Sequence, residues 1–401
     1  MVISRKLIRS VWFSGLALYL LTAYLPGAAE GVLGPRETAK LKAVAAAEIS
    51  PDGRFIAYTV SIPRLPWKDP DGTPWQNLYL LDTQDGSSRL FIGGKANFST
   101  LHWMPDGRAL SFLAKRENDS HRCLYVLPLD GGEARRAAAL ESDILAYTWS
   151  PDGSRVALIG LEPEEKENKE LKEKGFKQII FEEDRRRRLL YVAEAFSDEA
   201  GRPLDLPGAV FSAVWGPDGN RIAAAIAPTP SIDDSYMQKR VHVIDVDSGK
   251  VLAKLENPGK LGEIVWSPDG RKLAMISGID IHDPAAGRLL VGDASGGALK
   301  DVLNNHPGHV SDIAWDGDLI HLINNEGVYT SYETVDPESG KRQVLISPGG
   351  PVATSFSRSH DGKAAFVSSS PSHPGEVYYL PGKTETPRRM THTNPWLDKV
   401  R

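Results

Sequence analysis

A serine nucleophile is the first chemical group for which the sequence offers a candidate. Gly292-Asp293-Ala294-Ser295-Gly296 comes close to the G-x-S-x-G nucleophile elbow, but its serine stands one residue late. The segment follows an apolar run and ends in glycines, which is typical of a hairpin turn. No H-E-x-x-H, phosphate-binding loop or G-x-G-x-x-G pattern occurs in the 401 residues. We therefore expect no catalytic residue on this chain.

Metal ligands and a reactive thiol are the other chemical candidates. His306-Pro307-Gly308-His309 holds the closest pair among ten His, but no Cys or carboxylate stands near it at ligand spacing. Asp69-Pro70-Asp71-Gly72 resembles the start of a calcium loop and lacks the closing glutamate. The single Cys123 lies in an apolar run and cannot form an internal disulfide. We expect a loop, a polar turn and a buried, unreactive thiol, with no metal and no cofactor.

A four-residue turn recurs along the chain and organises it. The seven copies are Ser50-Pro51-Asp52-Gly53, Met104-Pro105-Asp106-Gly107, Ser150-Pro151-Asp152-Gly153, Gly216-Pro217-Asp218-Gly219, Ser267-Pro268-Asp269-Gly270 and, in weaker form, Trp315-Asp316-Gly317-Asp318 and Ser359-His360-Asp361-Gly362. The steps between the aligned Asp residues are 54, 46, 66, 51, 47 and 45 residues. Such a period indicates repeated supersecondary units that bury their apolar faces against their neighbours.

Each repeat contains four short apolar segments, as the fifth copy shows. These segments are Leu261–Trp266, Lys272–Ile276, Arg288–Asp293 and Leu299–Leu303, separated by polar loops and by turns rich in Gly and Pro. Four such strands in about 50 residues describe a propeller blade. The sequence therefore predicts an all-β fold, a seven-bladed β-propeller.

Five of the nine Trp residues occupy one position, the end of the first strand in a repeat. They are Trp103, Trp149, Trp215, Trp266 and Trp315. A role in packing between blades requires the same residue in every blade, whereas stacking on a ligand does not. We therefore expect these Trp side chains to pack between blades.

The propeller is predicted to cover residues 44–394, after a lead-in segment at 30–43 that contains a short helix. The array begins with a first strand and ends with a fourth strand at 388–391. The last blade is thus not expected to borrow a strand from the N-terminus, and closure would depend on side-chain packing between blades one and seven. Residues 395–401 would begin a linker.

The longest step, 66 residues, marks an insertion at 162–188 in the third blade. It carries nine acidic and nine basic residues, with spacings such as Glu165–Lys169 that support a solvated helix. The sequence predicts a helical, mixed-charge excursion over one mouth of the ring.

The N-terminus has the pattern of a secretory signal peptide at residues 1–29. Three basic residues precede a 15-residue apolar run from Val11 to Leu25, and Gly27-Ala28-Ala29 supplies small residues for cleavage. The alternative is an uncleaved anchor, although the run is shorter than the about 20 residues that span a bilayer. We expect a periplasmic or secreted protein without stable membrane insertion after signal cleavage.

The charge of the exported chain argues against nucleic acid as a partner. Removing the three positive charges of residues 1–29 from a chain of formal net charge −5 leaves −8. Phosphate contacts dominate the affinity of proteins for nucleic acids, and an acidic protein makes few of them.

The repeats, of the form W-S-P-D-G-(K/R)-x-(I/L)-A, resemble the propeller of the prolyl oligopeptidase family and TolB-like propellers. Three further features resemble the acylaminoacyl-peptidase and dipeptidyl-peptidase branches of that family. They are the lead-in helix that runs into Ile49-Ser50-Pro51-Asp52-Gly53, the segment Phe181-Glu182-Glu183-Asp184, and the exit segment from Pro387 to Leu397. The resemblance covers about residues 35–401.

The resemblance implies a propeller that gates access of peptide substrates to a serine-peptidase hydrolase domain, in cis or from a split product. That hydrolase domain would follow Arg401 and is absent from this chain, so peptidase activity of the chain alone is not expected. In related aminopeptidases, acidic side chains of the propeller hold the amino end of the substrate. Glu182 and Glu183 stand at the similar position. The alternative for both is a surface carboxylate paired with Arg185–Arg188.

Two other functions remain open at this point. The chain could be a stand-alone TolB-like periplasmic propeller that binds protein partners. It could also be a propeller enzyme that acts through residues clustered at its axis.

Overall fold

The computed structural model of the chain describes residues 31–66, 68–178, 185–197, 199, 201–304, 306–382 and 386–400. Over these ranges, 28 strands form seven four-stranded antiparallel sheets. In every sheet the strands are neighbours in the order in which the chain visits them. The predicted seven-bladed β-propeller is therefore confirmed.

In the first four blades, the second and third strands form the middle of each sheet. Their strands are β1 (Ala43–Ile49), β2 (Phe55–Ile62), β3 (Trp75–Asp82) and β4 (Ser88–Ile92) in blade one; β5 (Phe98–Trp103), β6 (Ala109–Ala114), β7 (Cys123–Pro128) and β8 (Arg135–Ala138) in blade two; β9 (Ile144–Trp149), β10 (Arg155–Leu161), β11 (Arg188–Glu194) and β12 (Arg202–Pro203) in blade three; and β13 (Ala209–Trp215), β14 (Arg221–Ala227), β15 (Arg240–Asp245) and β16 (Val251–Leu255) in blade four.

The last three blades repeat the arrangement. Their strands are β17 (Leu261–Trp266), β18 (Lys272–Ser277), β19 (Arg288–Asp293) and β20 (Lys300–Asp301) in blade five; β21 (His309–Asp316), β22 (Leu319–Glu326), β23 (Tyr329–Val335) and β24 (Arg342–Ile346) in blade six; and β25 (Val352–Arg358), β26 (Ala364–Ser370), β27 (His373–Leu380) and β28 (Arg388–Arg389) in blade seven. Helices α1 (Pro35–Thr38), α2 (Lys166–Glu173) and α3 (Ile232–Met237) and a 3-10 turn (Pro395–Lys399) lie outside the sheets. The fourth strands of blades five and seven are shorter than predicted.

The recurring turn is held by hydrogen bonds among its own residues. In blade five, the Ser267 hydroxyl donates to Asp269 Oδ1 at 2.7 Å and accepts from the Lys272 amide at 2.8 Å. The Gly270 amide donates to the Ser267 carbonyl, and Gly270 has φ +68°, which L side chains rarely adopt. Ser50 and Ser150 make the same pair of hydroxyl contacts. The motif is thus a self-contained turn that joins the first and second strands.

Blade six departs from this turn. Asp316 pairs with Leu319, so only Gly317 and Asp318 connect β21 to β22. Without the serine and proline, Asp316 does not cap its own turn; its carboxylate accepts from Arg358 of blade seven at 2.7 Å. The sixth copy of the repeat is therefore a shorter hairpin, not a weak form of the same turn.

Trp recurs at one position of the repeats because its side chain packs between neighbouring blades. Trp103 Nε1 donates to the Glu48 carbonyl of blade one at 2.8 Å, and Trp266 Nε1 donates to the Val214 carbonyl of blade four at 3.1 Å. Arg221 of blade four lies 5.0 Å from the Trp266 ring and donates to the Gly270 carbonyl at 2.7 Å. The expected packing role is confirmed at these positions.

Within the described residues, blades one and seven share no strand where the ring closes. The sheet of blade one contains only β1 to β4, and that of blade seven contains only β25 to β28. One apolar cluster spans the two blades and includes Val44, Ile49, Val367 and Tyr379. Closure by side-chain packing is therefore confirmed, and hydrogen bonds described below add to it.

The antiparallel order gives the ring two different faces. Turns from first to second strands lie on one face, which we call the turn-bearing face. Loops from second to third strands lie on the opposite face, together with the start of β1 and the end of β28. We call this the terminus-bearing face, and the described residues of its loops are 63–66 and 68–74, 115–122, 162–178 and 185–187, 228–239, 278–287, 327–328 and 371–372.

Candidate functional site

The first strands of the seven blades surround the axis of the ring. Neighbouring first strands contact one another, for example β1 with β5 and β25, and β21 with β17 and β25. The edge of each first strand that faces the axis has no further strand to pair with. Side chains of these strands therefore surround the axis of the ring, and we call the region around this axis the central channel.

Two carboxyl groups from adjacent blades meet in this channel. Glu263 of β17 and Asp312 of β21 lie within hydrogen-bonding reach of each other. Glu263 Oε2 accepts from the Ile313 amide at 3.1 Å, and Asp312 Oδ2 accepts from the Phe356 amide at 2.9 Å. Each carboxyl group thus also links its own blade to the backbone of the next blade.

The channel raises the pKa of both carboxyl groups. Water reaches Glu263, but the surrounding strands restrict the hydration of a charge there, which raises the pKa of Glu263 first of all. Its hydrogen bond with Asp312 and the nearby negative charges raise that pKa further. Restricted hydration also raises the pKa of Asp312, while the hydrogen bond from Glu263 opposes this effect. Both carboxyl groups therefore hold a proton to higher pH than an isolated carboxyl group does.

A second pair lies on blades one and two. Glu48 Oε1 is 3.6 Å from His102 Nδ1. Loss of hydration lowers the pKa of His102, but the hydrogen bond to Glu48 and its negative charge outweigh this effect, so the pKa is raised. The charge of Glu48 also acts on Glu263 and Asp312. The charge of Glu48 thus raises the pKa of His102, Glu263 and Asp312.

The terminus-bearing face exposes apolar side chains on consecutive blades. They are Leu171 and Phe176 in blade three, Ile232 and Tyr236 in blade four, Ile279 and Ile281 in blade five, and Val328 and Tyr329 in blade six. Val328 is 77% exposed and Ile232 is 65% exposed. The other large apolar residues exposed in the described ranges are Phe196 and Val251 toward the turn-bearing face, Leu90, Leu252 and Val344 on outer strands, and Val32 and Leu33 before β1. Clustering of this kind marks surfaces that bind a partner.

The nucleophile and thiol candidates have structural roles. Ser295 lies in the turn after β19, where its hydroxyl donates to Asp293 Oδ1 at 2.6 Å. Cys123 is buried, and burial raises the pKa of its thiol to about 11, so the thiolate form is scarce at neutral pH. The predicted turn at Ser295 and the predicted burial of Cys123 are confirmed.

The metal candidates organise loops. His309 Nδ1 accepts from the Gly287 amide at 2.8 Å, and His306 contacts Arg342. Asp69 accepts from the Leu65 amide at 3.0 Å in a turn that the Arg64 guanidinium holds. In the part of the chain that the structure describes, no three His, Cys, Asp or Glu side chains are grouped as metal ligands. His306 thus lies in a loop and Asp69 in a turn, as predicted, whereas His309 is the first residue of β21.

Glu182 and Glu183, predicted from the family resemblance to bind the substrate amine, lie outside the described residues, as do residues 1–29. The base of the insertion is described. Arg187 contacts Glu162 Oε1 at 2.9 Å, and Arg188 lies 4.6 Å from the Phe211 ring. Within the described ranges, no helix is long and apolar enough to cross a membrane.

Sequence reasoning missed the channel residues, although a signal was present. Glu263 and Asp312 each stand three residues before the repeated Trp, and His102 stands one residue before it. Comparing the repeats column by column, instead of using only the turn, would have shown ionisable residues on first strands. It would not have shown that they face one another.

No protein-family model matches the chain. Among curated proteins, a segment of 109 residues is 31% identical to the uncharacterized peptidase YuxL of Bacillus subtilis (strain 168). This match covers 27% of the present chain and 16% of that protein. The sequence likeness is therefore confined to part of the chain.

Solved structures match over nearly the whole propeller. The uncomplexed acylaminoacyl peptidase of Pyrococcus horikoshii has a TM-score of 0.67 at 15% identity, covering 91% of this chain and 55% of that one. A puromycin-hydrolyzing peptidase of Mycobacterium tuberculosis has a TM-score of 0.67 at 15% identity, covering 92% and 57%. The β-propeller domain of the trilobed protease from Pyrococcus furiosus, described as having an open velcro topology, has a TM-score of 0.62 at 13% identity, covering 88% and 99%.

These matches define a class of fold. The chain spans just over half the length of the two peptidases and nearly all of the trilobed protease propeller domain. It resembles the propeller domains of the prolyl oligopeptidase family, to which the acylaminoacyl peptidases belong, and shares their seven-bladed ring.

Proposed function

We propose that this chain is the substrate-gating propeller of an exported peptidase of the prolyl oligopeptidase type. Its terminus-bearing face would dock a hydrolase domain, and its channel would admit peptides to that domain. The proposed chemistry belongs to the docked domain, because the serine, cysteine and histidine candidates of this chain serve turns, the core and loops.

The observation that carries this proposal is the exposed apolar surface of the terminus-bearing face. Ile232, Tyr236, Ile279, Ile281 and Val328 are each more than half exposed. Burial of apolar surface favours association by about 25 cal/mol per Å². A partner that covers these exposed side chains would therefore stabilise the complex. A partner that covers this face would lie beside both chain ends, since β1 starts there and β28 ends there.

The channel supports the choice of peptides as substrates. The negative charge of Glu48 raises the pKa of Glu263 and Asp312, and the same field disfavours anionic ligands and favours the positively charged amino end of a peptide. Glu182 and Glu183 are proposed to hold that amino end near the insertion. Export through a signal peptide at residues 1–29 completes the proposal.

Association with a hydrolase domain tests the docking surface. The full chain would be mixed with the α/β-hydrolase domain encoded beside it, in cis or as a separate product, and binding would be measured by calorimetry. Ile279→Asp and Ile232→Asp are expected to weaken binding at least tenfold, because each places a charge in the apolar interface. Leu252→Asp is the matched control, since Leu252 is 54% exposed on the outer strand β16. Equal effects of all three substitutions would contradict the proposed face.

Activity measurements test the division of labour. The chain alone is expected to release no chromophore from aminoacyl or peptidyl chromogenic substrates. Turnover by the purified chain would show that it carries a nucleophile. Specific binding of other periplasmic proteins, with no hydrolase domain encoded nearby, would instead favour the stand-alone binding propeller.

A further inference from the structure

The exit segment after β28 is anchored on a fully buried carboxylate. Glu376 of β27 is 0% exposed. Its Oε1 accepts from Arg389 at 3.0 Å and from the amide and hydroxyl of Thr393 at 2.8 and 2.9 Å. Its Oε2 accepts from the Thr391 hydroxyl. This carboxylate therefore fixes the course of residues 389–393 on blade seven.

The next residue joins the exit segment to the start of blade one. Asn394 is 2% exposed, and its amide group pairs with both backbone groups of Lys42. Nδ2 donates to the Lys42 carbonyl at 2.7 Å, and Oδ1 accepts from the Lys42 amide at 3.0 Å. An amide side chain that pairs in this way imitates one rung of a β-ladder between the two blades.

The rest of this seam has three further hydrogen bonds. The Ile49 amide donates to the Ser357 hydroxyl at 2.8 Å, and that hydroxyl donates to the Ala47 carbonyl at 3.1 Å near the channel. The His360 amide donates to the Pro51 carbonyl at 2.9 Å on the turn-bearing face. Lys363 pairs with Asp361 of its own turn at 2.6 Å, and its charge also acts on Asp52 of blade one. The apolar cluster supplies the remaining cohesion.

We infer that Asn394, positioned by Thr393 and Glu376, is a strap that locks the seam between blades one and seven. It takes the place of the shared strand that closes other rings. Because the strap lies in the exit segment, displacement of residues 391–394 releases Lys42 and lets the two blades separate. The stability of the seam thus depends on the position of the exit segment.

Three backbone amides, those of Lys42, Ile49 and His360, donate their hydrogen across the seam and therefore report on its separation. Lys42 loses its partner directly when Asn394 is replaced. Ile49 and His360 keep their partners, Ser357 and Pro51, and lie elsewhere on the same seam. Faster exchange at these two amides therefore requires the blades to separate, whereas a purely local role of Asn394 leaves them unchanged.

Hydrogen exchange of the full chain, resolved to single amides by mass spectrometry, tests the strap. Asn394→Ala removes two buried hydrogen bonds to the backbone and is expected to speed exchange at Ile49 and His360 about tenfold. Thr393→Val keeps the backbone amide and removes one contact to Glu376, so a smaller increase at the same two amides is expected. This milder variant maintains the test if Asn394→Ala does not fold.

The matched control is Asn257→Ala. Asn257 is 1% exposed, and its Nδ2 donates to the carbonyls of Lys239 and Gly259, far along the chain from the seam. It removes the same kind of contact and is expected to leave Ile49 and His360 unchanged. The inference is overturned if Asn394→Ala speeds exchange at Lys42 alone, or if Asn257→Ala speeds Ile49 and His360 equally.

Discussion

The two faces of the ring are built from the same repeats, yet they carry different surfaces. On the turn-bearing face, Ser, Asp and backbone groups satisfy one another within each turn, as Ser267 and Asp269 do. On the terminus-bearing face, loop length varies from two residues in blades six and seven to 26 in blade three. Apolar side chains are exposed there on blades three to six.

This difference distinguishes the turns that stabilise the ring from the loops that can bind a partner. A turn closed by its own hydrogen bonds has few groups left for a partner, and its residues are set by backbone geometry. A loop that contributes little to the core can change in length and composition without loss of the fold. Substitutions on the first face should therefore affect stability, and those on the second face should affect association.

The largest expected effect is that of removing a Trp from the turn-bearing half. Trp266→Ala deletes a side chain that is 7% exposed, bonds Val214 and stacks under Arg221, so we expect the free energy of unfolding to fall by about 3–5 kcal/mol. Tyr236→Ala, at a 51% exposed aromatic on the other face, should change it by less than about 0.5 kcal/mol. Urea unfolding of both variants provides the comparison, and similar losses would remove the distinction between the faces.

A smaller effect is expected at the turn serine. Ser267→Ala leaves the Lys272 amide and Asp269 without the hydroxyl that joins them, which should lower the free energy of unfolding by about 1–3 kcal/mol. Ser235→Ala removes a hydroxyl in α3 that bonds the Ile232 carbonyl, and alanine favours a helix, so little change is expected. If Ser235→Ala lowers the urea unfolding midpoint as much as Ser267→Ala does, the turn hydroxyl contributes no more to stability than a hydroxyl in a surface helix.

The turns explain why the fold could be predicted from the sequence. Each Ser-Pro-Asp-Gly turn depends on contacts within about five residues, so its residues reveal its shape. Blade six shows the limit of this reasoning. Trp315-Asp316-Gly317-Asp318 matches the motif in letters, but without serine and proline the chain turns in two residues, and Asp316 contacts Arg358 instead.

The candidate site depends on contacts that no local pattern contains. Asp312 bonds the amide of Phe356, 44 residues later, and Asn394 bonds Lys42 across 352 residues. Which first-strand side chains meet in the channel is decided by the arrangement of the blades around the axis. The exposed apolar loops were also missed, because Ile232 or Val328 in a sequence looks like a core residue until the strands are placed.

The smallest expected effect separates the faces by pH. Hydrogen bonds from Ser150 and from the Ser154 amide lower the pKa of Asp152 to about 2, and those from the Arg271 amide and Ser267 lower the pKa of Asp269 to about 2. In the unfolded chain an Asp has a pKa of about 3.9. The unfolded state therefore binds more protons between about pH 4 and pH 2, and the contribution of the turns, complete above that range, is lost as pH falls through it.

The double substitution Asp152→Asn with Asp269→Asn should lower the unfolding midpoint at pH 6 and flatten its fall between about pH 4 and pH 2, because neither group can then take up a proton. Asp233→Asn, at an exposed position in α3 on the terminus-bearing face, changes the charge without removing a turn carboxylate and should leave the slope intact. Urea midpoints at each pH measure both slopes. If the double variant keeps the slope of the unmodified chain, the acid sensitivity arises elsewhere, and the turn-bearing face loses the electrostatic part of its role in stability.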